Sequence, residues 1–259
     1  MSLLDLFNLS GKTAVITGSS RGIGRAIAER FAQAGANVVV SSRKIDACEE
    51  VTNVINRAGG KAISKTCNIS DKDQCDELIE YAKSKFSSVD ILVCNAASNP
   101  YYGKLSEIPD EAFDKIMNNN VRSNLWLSQK VLPSMVSKGG GSIIIVSSIA
   151  GLQGVENLGA YSISKTADLG LVRSLAVEWG GKGVRVNALC PGIIKTDFAR
   201  ALWENPKIME NVKSTYPLGR IGTTDEVAGA ALMLAGPAGG FITGQAIVMD
   251  GGVTISGKG

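Results

Sequence analysis

Short runs that are apolar at every consecutive position alternate along the chain with segments whose apolar residues recur at helical spacing. The first kind includes A-V-I within Thr13–Thr17, V-V-V within Asn37–Ser41 and I-I-I-V within Ser142–Ser147. Strands apolar on both faces belong in a parallel sheet covered by helices on either side. Further strands are expected at Lys61–Cys67, Ile91–Cys94, Val184–Cys190 and Gln245–Met249. The helical spacing predicts Ile23–Ala34, closed by Gly35, then Ile45–Ala58, and Asp71–Phe86 with Ser70 as N-cap. Helices are also predicted at about Glu111–Ser137, at Ala160–Trp179 and near Thr224–Ala235. Strand and helix alternate throughout, so the predicted architecture is an α/β doubly wound parallel sheet of about seven strands with helices on both faces. No linker, repeat or low-complexity stretch interrupts it, and residues 1–259 read as one domain.

Composition narrows the chemistry. With 44% hydrophobic and 20% charged residues the chain has an ordinary globular balance. A net charge of +3, without a dense basic run, gives no reason to expect nucleic acid or a membrane surface as a partner. The amino-terminal M-S-L-L-D-L-F-N-L-S is broken by Asp5 and lacks a preceding basic residue, unlike a signal peptide. No segment approaches the ~20 apolar residues of a membrane helix, and the terminal S-G-K-G is not a peroxisomal address. Five scattered cysteines form no C-x-x-C pair and suit a reducing compartment, so a cytoplasmic location is expected. The chain has no histidine, which removes Ser-His-Asp and Cys-His nucleophiles and histidine-ligated zinc. No metal site is expected, and acid/base chemistry falls to Tyr, Lys, Asp, Glu or Cys.

Immediately after the first strand stands T-G-S-S-R-G-I-G, Thr17 to Gly24, opening into a helix. Glycines let backbone approach a pyrophosphate, and the helix amino terminus offers free N–H groups and a positive dipole end. The same turn also suits a ligand-free loop or a nucleotide site of another class, such as a methyltransferase. Farther on, A-Y-S-I-S-K sets Tyr161 and Lys165 four residues apart on one helix face, thirteen or more residues after Ser148 at a strand end. A tyrosine in isolation titrates near ~10. An adjacent ammonium favours the phenolate, which lets such a phenol exchange protons. Taken singly, each of these also reads as an ordinary amphipathic pair and a strand-end cap.

Together, the T-G-x-x-x-G-x-G turn, the serine–tyrosine–lysine spacing and Asn120 in N-N-N-V resemble the short-chain dehydrogenase/reductase family, in the family's order and over almost the whole chain. The resemblance implies a single Rossmann-type domain, with a cofactor-binding part over about 1–150 and the catalytic helix, substrate lid and last strand over about 151–259. It implies hydride transfer between a nicotinamide and a ketone, aldehyde or secondary alcohol. Tyr161 would be the acid/base, Lys165 would assist it and bind ribose, Ser148 would hold the substrate oxygen, and Asn120 would hold a water in the proton path. Cofactor contacts are expected from Gly18, Ser20, Arg21, Gly22, Ile23 and Gly24 in the turn, from Ser42 and Arg43, and from Asn68 and Ile69. Others are expected from Asn95 and Ala96, from Tyr161 and Lys165, and from Pro191, Gly192, Ile194 and Thr196 of P-G-I-I-K-T.

Relatives that prefer NAD usually carry an acid at the end of the second strand, where this chain has Ser42 followed by Arg43 and Lys44. A guanidinium would bind a 2′-phosphate that a carboxylate would repel, so NADP(H) is the expected cofactor. Two positions depart from the family pattern: C-N-I at Cys67–Ile69 replaces D-V, so Asn68 would meet the adenine amino group with its amide oxygen, and C-N-A-A at Cys94–Ala97 replaces N-N-A-G. The stretches S-S-R-K, N-A-A-x-N-P and A-L-W are similar to NADP(H)-dependent carbonyl reductases of the dehydrogenase/reductase member 4 type. A 3-oxoacyl-ACP reductase and a non-catalytic NADP(H)-sensing protein are the alternatives. Tyr101, Tyr102, Phe198 and Trp203 suit an apolar or aromatic small-molecule substrate, and equally packing beneath a lid or an oligomer contact. A homotetramer built on helices near Ala112–Ser137 and Tyr161–Trp179 follows from the resemblance alone.

Overall fold

A computed structural model describes residues 2–257; Met1 and the last two residues of the S-G-K-G terminus lie outside them. After a capped turn of helix, α1 (Leu3–Leu6), the chain builds β1 (Thr13–Thr17), α2 (Gly22–Gln33), β2 (Asn37–Ser42), α3 (Ile45–Arg57), β3 (Lys61–Thr66), α4 (Lys72–Phe86) and β4 (Ile91–Cys94). Next come α5 (Asp110–Met117), a π-helical turn at Asn118–Arg122, α6 (Ser123–Ser137), β5 (Gly141–Val146), α7 (Gly159–Trp179) and β6 (Val184–Pro191). Two helices, α8 (Arg200–Trp203) and α9 (Pro206–Thr215), precede α10 (Thr224–Ala235) and β7 (Ala246–Met249).

The strands form one parallel sheet in the order β3-β2-β1-β4-β5-β6-β7. All five residues of β1 are buried, and they alternate between two cores. Ala14 and Ile16 join Ile27 and Phe31 of α2, Val51 of α3 and Leu234 of α10. Val15 faces the other way, with Leu78 of α4, Leu127 of α6 and Leu169 of α7. The consecutive apolar runs therefore feed two helical layers, as their pattern predicts. The order in which successive strands are laid down reverses between β1 and β4, which stay parallel, and the crevice beyond the carboxyl ends of those strands is where such sheets take ligands.

Two local expectations are corrected and one further segment is defined. The cap of α4 is Asp71, whose Oδ1 accepts from Asp73 N at 3.0 Å and Gln74 N at 3.2 Å. Ser70 instead donates its hydroxyl to Asn68 Oδ1 at 2.9 Å. The helical stretch expected at about Glu111–Ser137 begins at Asp110 and is wound as a π turn over Asn118–Arg122, which contains Asn120. The segment from Asp197 to Tyr216 holds two helices; the second starts with Asn205, whose Oδ1 accepts from Lys207 N at 3.0 Å, and with Pro206 in the first turn.

Candidate active site

The glycine turn is clamped from β4. Asn95 Nδ2 donates to Thr17 O at 2.9 Å and Gly18 O at 3.1 Å. Thr17 Oγ1 in return accepts from Asn95 N at 3.0 Å and Ala96 N at 3.1 Å. Ser19 ties the turn to β2, its hydroxyl donating to Ile16 O at 2.6 Å and accepting from Ser41 N at 2.9 Å. Gly18 and Gly22 take φ of +65° and +58°, a left-handed conformation that glycine adopts freely. A Cβ on Gly22 would lie 3.5 Å from the Thr196 side chain, so the turn and the P-G-I-I-K-T segment face each other closely. Arg21 precedes α2 in extended conformation and provides no side-chain cap. The capping side chains present at α4, α9 and α10 are thus missing from α2, which leaves its first-turn N–H groups without a side-chain acceptor and suited to an anionic ligand. These features fit a pyrophosphate.

Other predicted positions fall along the same edge. Ser42 ends β2, with its hydroxyl 3.1 Å from Cys48 Sγ, and Arg43 and Lys44 follow it, exposed. Asn68 and Ile69 follow β3, but the Asn68 amide oxygen expected to meet adenine already accepts from Ser70 N at 3.3 Å and Ser70 Oγ at 2.9 Å. Asn95 acts on the turn itself. Pro191 closes β6, Gly192 N donates to Met249 O at 2.9 Å, and Ile194 pairs with Gly222. Thr196 O accepts the Trp203 indole N–H at 2.7 Å, so Trp203 anchors the lid segment and Phe198, 63% exposed, is left on its surface.

Ser148 follows β5 in extended conformation. Its Oγ accepts from Ala150 N at 3.1 Å, which leaves the hydroxyl proton free to be donated. The turn it opens is docked on α7 by Ser147 Oγ donating to Lys165 O at 2.9 Å and Thr166 Oγ1 donating to Gly151 O at 3.0 Å. Lys165 is 2% exposed. Its Nζ donates to Val146 O at 2.9 Å and Asp168 Oδ2 at 3.1 Å, and lies 5.8 Å from the centre of the Tyr161 ring. An ammonium has three protons, so one remains for the Tyr161 side. Burial works to lower the Lys165 pKa, but Asp168 and then Tyr161 outweigh it and hold the lysine above its ordinary value.

Asn120 joins this group through the π turn. Its Oδ1 accepts from Ser98 N at 2.8 Å, and its Nδ2 donates to Ser98 O and Ser164 Oγ, each at 3.0 Å. Ser164 Oγ donates to Tyr161 O at 2.7 Å. Such π turns often mark functional sites. Asp168 and Asn124 were not expected here, yet both are buried, Asp168 against Lys165 and Asn124 against Asn120.

A family profile described as Enoyl-(Acyl carrier protein) reductase matches residues 18–254. The chain is 42% identical to "Dehydrogenase/reductase SDR family member 4" of Bos taurus over 94% of this chain and 88% of that one. It belongs to the short-chain dehydrogenase/reductase family. Among solved structures, this member of the family superimposes on a 7α-hydroxysteroid dehydrogenase complexed with NADH and 7-oxo glycochenodeoxycholic acid. The TM-score is 0.93 and the identity 38%, over 97% of this chain and 98% of that one. A putative NAD(P)-dependent gluconate 5-dehydrogenase from Beutenbergia cavernae with bound NADP gives 0.92 and 35%, over 96% and 99%. Short-chain dehydrogenase/reductases are oxidoreductases that use nicotinamide cofactors, and this chain carries both the glycine turn and the Ser148, Tyr161, Lys165 set. Among the described residues no helix is long and apolar enough to cross a membrane, and no cluster of three or more His, Cys, Asp or Glu is arranged for a metal.

Proposed function

We propose that this protein is an NADP(H)-dependent carbonyl reductase of apolar or aromatic ketones and aldehydes, with Ser148, Tyr161, Lys165 and Asn120 as its catalytic set. The observation that carries the cofactor choice is the tip of β2: Ser42, then exposed Arg43 and Lys44, with no carboxylate before Asp46. Two cations and a hydroxyl at that tip complement a 2′-phosphate. The bound nicotinamide supplies or accepts the hydride. Ser148 donates its free hydroxyl proton to the substrate oxygen and so stabilises the negative charge that develops there. Tyr161 gives its phenolic proton to that same oxygen, or takes one from it in the reverse direction. Lys165, held charged by Asp168, keeps its ammonium 5.8 Å from the centre of the Tyr161 ring. Asn120 fixes the Ser98 loop and the start of α7 around the set.

Tyr102 and Phe198, 72% and 63% exposed, offer aromatic surface that would suit a bulky apolar carbonyl compound. The 7-oxo bile acid held by the hydroxysteroid dehydrogenase is a bulky ketone, with a carboxylate besides. The protein works in the cytoplasm as a homotetramer built on α5–α6 and α7; Val177 of α7, 86% exposed, is an apolar residue such an interface would cover. The test is a panel of ketones, α-diketones, secondary alcohols and 3-oxoacyl thioesters with NADPH, NADH and their oxidised forms. Arg43→Asp should weaken NADPH by about tenfold to a hundredfold, the worth of one charge-assisted hydrogen bond at roughly 1.5–3 kcal/mol, and leave NADH nearly unchanged. Unmoved NADPH affinity would remove the cofactor assignment, and preference for an oxoacyl thioester would replace the substrate class.

A further inference from the structure

Asp168 is not part of the serine, tyrosine, lysine and asparagine set, yet it is 0% exposed and in direct contact with that set. Its two carboxylate oxygens take different partners. Oδ2 accepts from Lys165 Nζ at 3.1 Å, and Oδ1 accepts from Asn124 Nδ2 at 2.9 Å. The same Asn124 nitrogen donates to the Asn120 main-chain carbonyl at 2.6 Å. A line of direct hydrogen bonds therefore runs from the π turn, through α6, to the ammonium on α7.

The other titratable groups facing this pair are few. Tyr161 lies on α7 itself, Cys94 at the end of β4, and Cys190 on β6. Burial pushes both thiols up, Cys190 to about 11, so neither supplies a competing negative charge at neutral pH. Asp168 is then the one carboxylate in contact with Lys165 among the described residues. Burial holds Asp168 itself above the ordinary carboxylate range, against the pull of Lys165 and Asn124. A buried ion pair is a poor route to stability, because well-packed apolar residues do as well or better. Its contact with the lysine of the active site gives it a different reason to exist.

We propose that Asp168, steadied by Asn124, is a positioning residue that keeps the Lys165 ammonium charged and aimed at Tyr161. This rests on the role given to Lys165 in the reading above. Without Asp168, Lys165 would be a buried lysine lacking a counter-ion, and desolvation would drive off its proton. Activity would then fail on the alkaline side.

The experiment compares wild type with Asp168→Asn, which keeps the shape of the side chain and removes its charge. The full-length protein, labelled with carbon-13 at lysine ε positions, is titrated by NMR with NADPH present, and Lys165 is assigned as the resonance lost in Lys165→Arg. In wild type Lys165 should titrate above the ordinary lysine value of 10.5. In Asp168→Asn it should titrate at least about one unit lower than in wild type, and turnover at pH 9 relative to pH 7 should fall against the wild-type ratio in proportion to the fraction of Lys165 that has lost its proton at pH 9. Identical Lys165 titrations in the two proteins, or a rate loss equal at every pH, would overturn the proposal. If Asp168→Asn does not fold, the wild-type titration decides alone: a value at or below 10.5 overturns it. If wild type reduces no carbonyl compound, the proposed function fails while the titration still reports on the pair.

Discussion

Gly24→Ala is a substitution for which helix propensity and tertiary geometry give opposite signs. Gly24 lies in the first turn of α2, and alanine is favoured over glycine inside a helix by up to about 1 kcal/mol. A Cβ at this position, however, would lie 2.5 Å from Asn95 Nδ2 and 2.5 Å from Gly18 O. Neither atom gives way cheaply. The Gly18 carbonyl is main chain and is held by the Asn95 amide. Moving that amide sacrifices its bonds to both Thr17 O and Gly18 O, each worth about 0.5–1.5 kcal/mol. Overpacking of this kind costs roughly 1–3 kcal/mol and a lost amide hydrogen bond about 1 kcal/mol more, so after the propensity gain of up to about 1 kcal/mol a net loss of about 2 kcal/mol remains. At about 2–4 °C per kcal/mol for a chain of this size, the midpoint should fall by about 4–8 °C. Gly229, exposed in α10 with nothing within 4 Å of a built Cβ, is the matched control: Gly229→Ala should stabilise by about 0.5–1 kcal/mol. Thermal melts of both variants, with NADPH titrated by fluorescence, make the comparison. A Gly24→Ala protein that melts at or above wild type would refute the clamp, and one that melts lower but binds NADPH with full affinity would separate the clamp from the cofactor.

Two other outcomes follow from the site and its surroundings. Tyr161→Phe should lower turnover by about 10²–10⁴-fold, the usual weight of a general acid, and Ser148→Ala by about 10²–10³-fold, measured as nicotinamide absorbance change under saturating substrate. A Tyr161→Phe enzyme at wild-type rate would take the proton transfer away from that residue. Glu226 closes a capping box with Thr223 and is held to about 2 chiefly by Arg220, with Thr223 adding to it. A depressed carboxylate contributes stability above its unfolded value of 4.5, and that contribution is lost as pH falls from there toward 2. Glu226→Gln should therefore flatten the decline in melting temperature across that window, and an unchanged slope would count against the pair.

The sheet was legible because its signal is local and redundant. Val38, Val39 and Val40 can all be buried only if both faces of β2 are covered. The serine–tyrosine–lysine set was legible because its members hold fixed spacings on one strand end and one helix. What the sequence concealed depends on who meets whom. Ser70 and Asp71 are both capping residue types, and only the fold shows Ser70 occupied with Asn68 while Asp71 caps α4. The π turn at Asn118–Arg122 interrupts no apolar spacing strongly enough to betray itself. Asp168, an acid three residues beyond a lysine on a helix, reads as a solvated surface pair. It is buried because α6 packs Asn124 against it, a relation between residues 44 apart in sequence. A start signal for α9 stood in the sequence unread: Asn205 as N-cap, followed by Pro206 in the first turn.

Parallel topology explains why chemistry collects where it does. Every strand points the same way, so the glycine turn after β1, Arg43 after β2, Asn95 after β4, Ser148 after β5 and Pro191 at the end of β6 open on one edge. The chain's net charge of +3 is too small to draw a polyanion from a distance, so attraction for a phosphorylated cofactor has to be local. The uncapped amides of α2 together with Arg21 and Arg43 give that edge a positive potential at close range. Lys165 is also a cation on this edge, but it is enclosed and already paired with Asp168. Its charge is thereby confined to short range, felt by the phenol at 5.8 Å and screened from the phosphate side of the cleft by its own counter-ion. Cofactor attraction and phenol activation are in this way served by different cations. Under the proposed NADP(H) reading, with exposed Arg21 and Arg43 holding the phosphate, raising salt should weaken NADPH binding while leaving the rate of the saturated enzyme almost untouched.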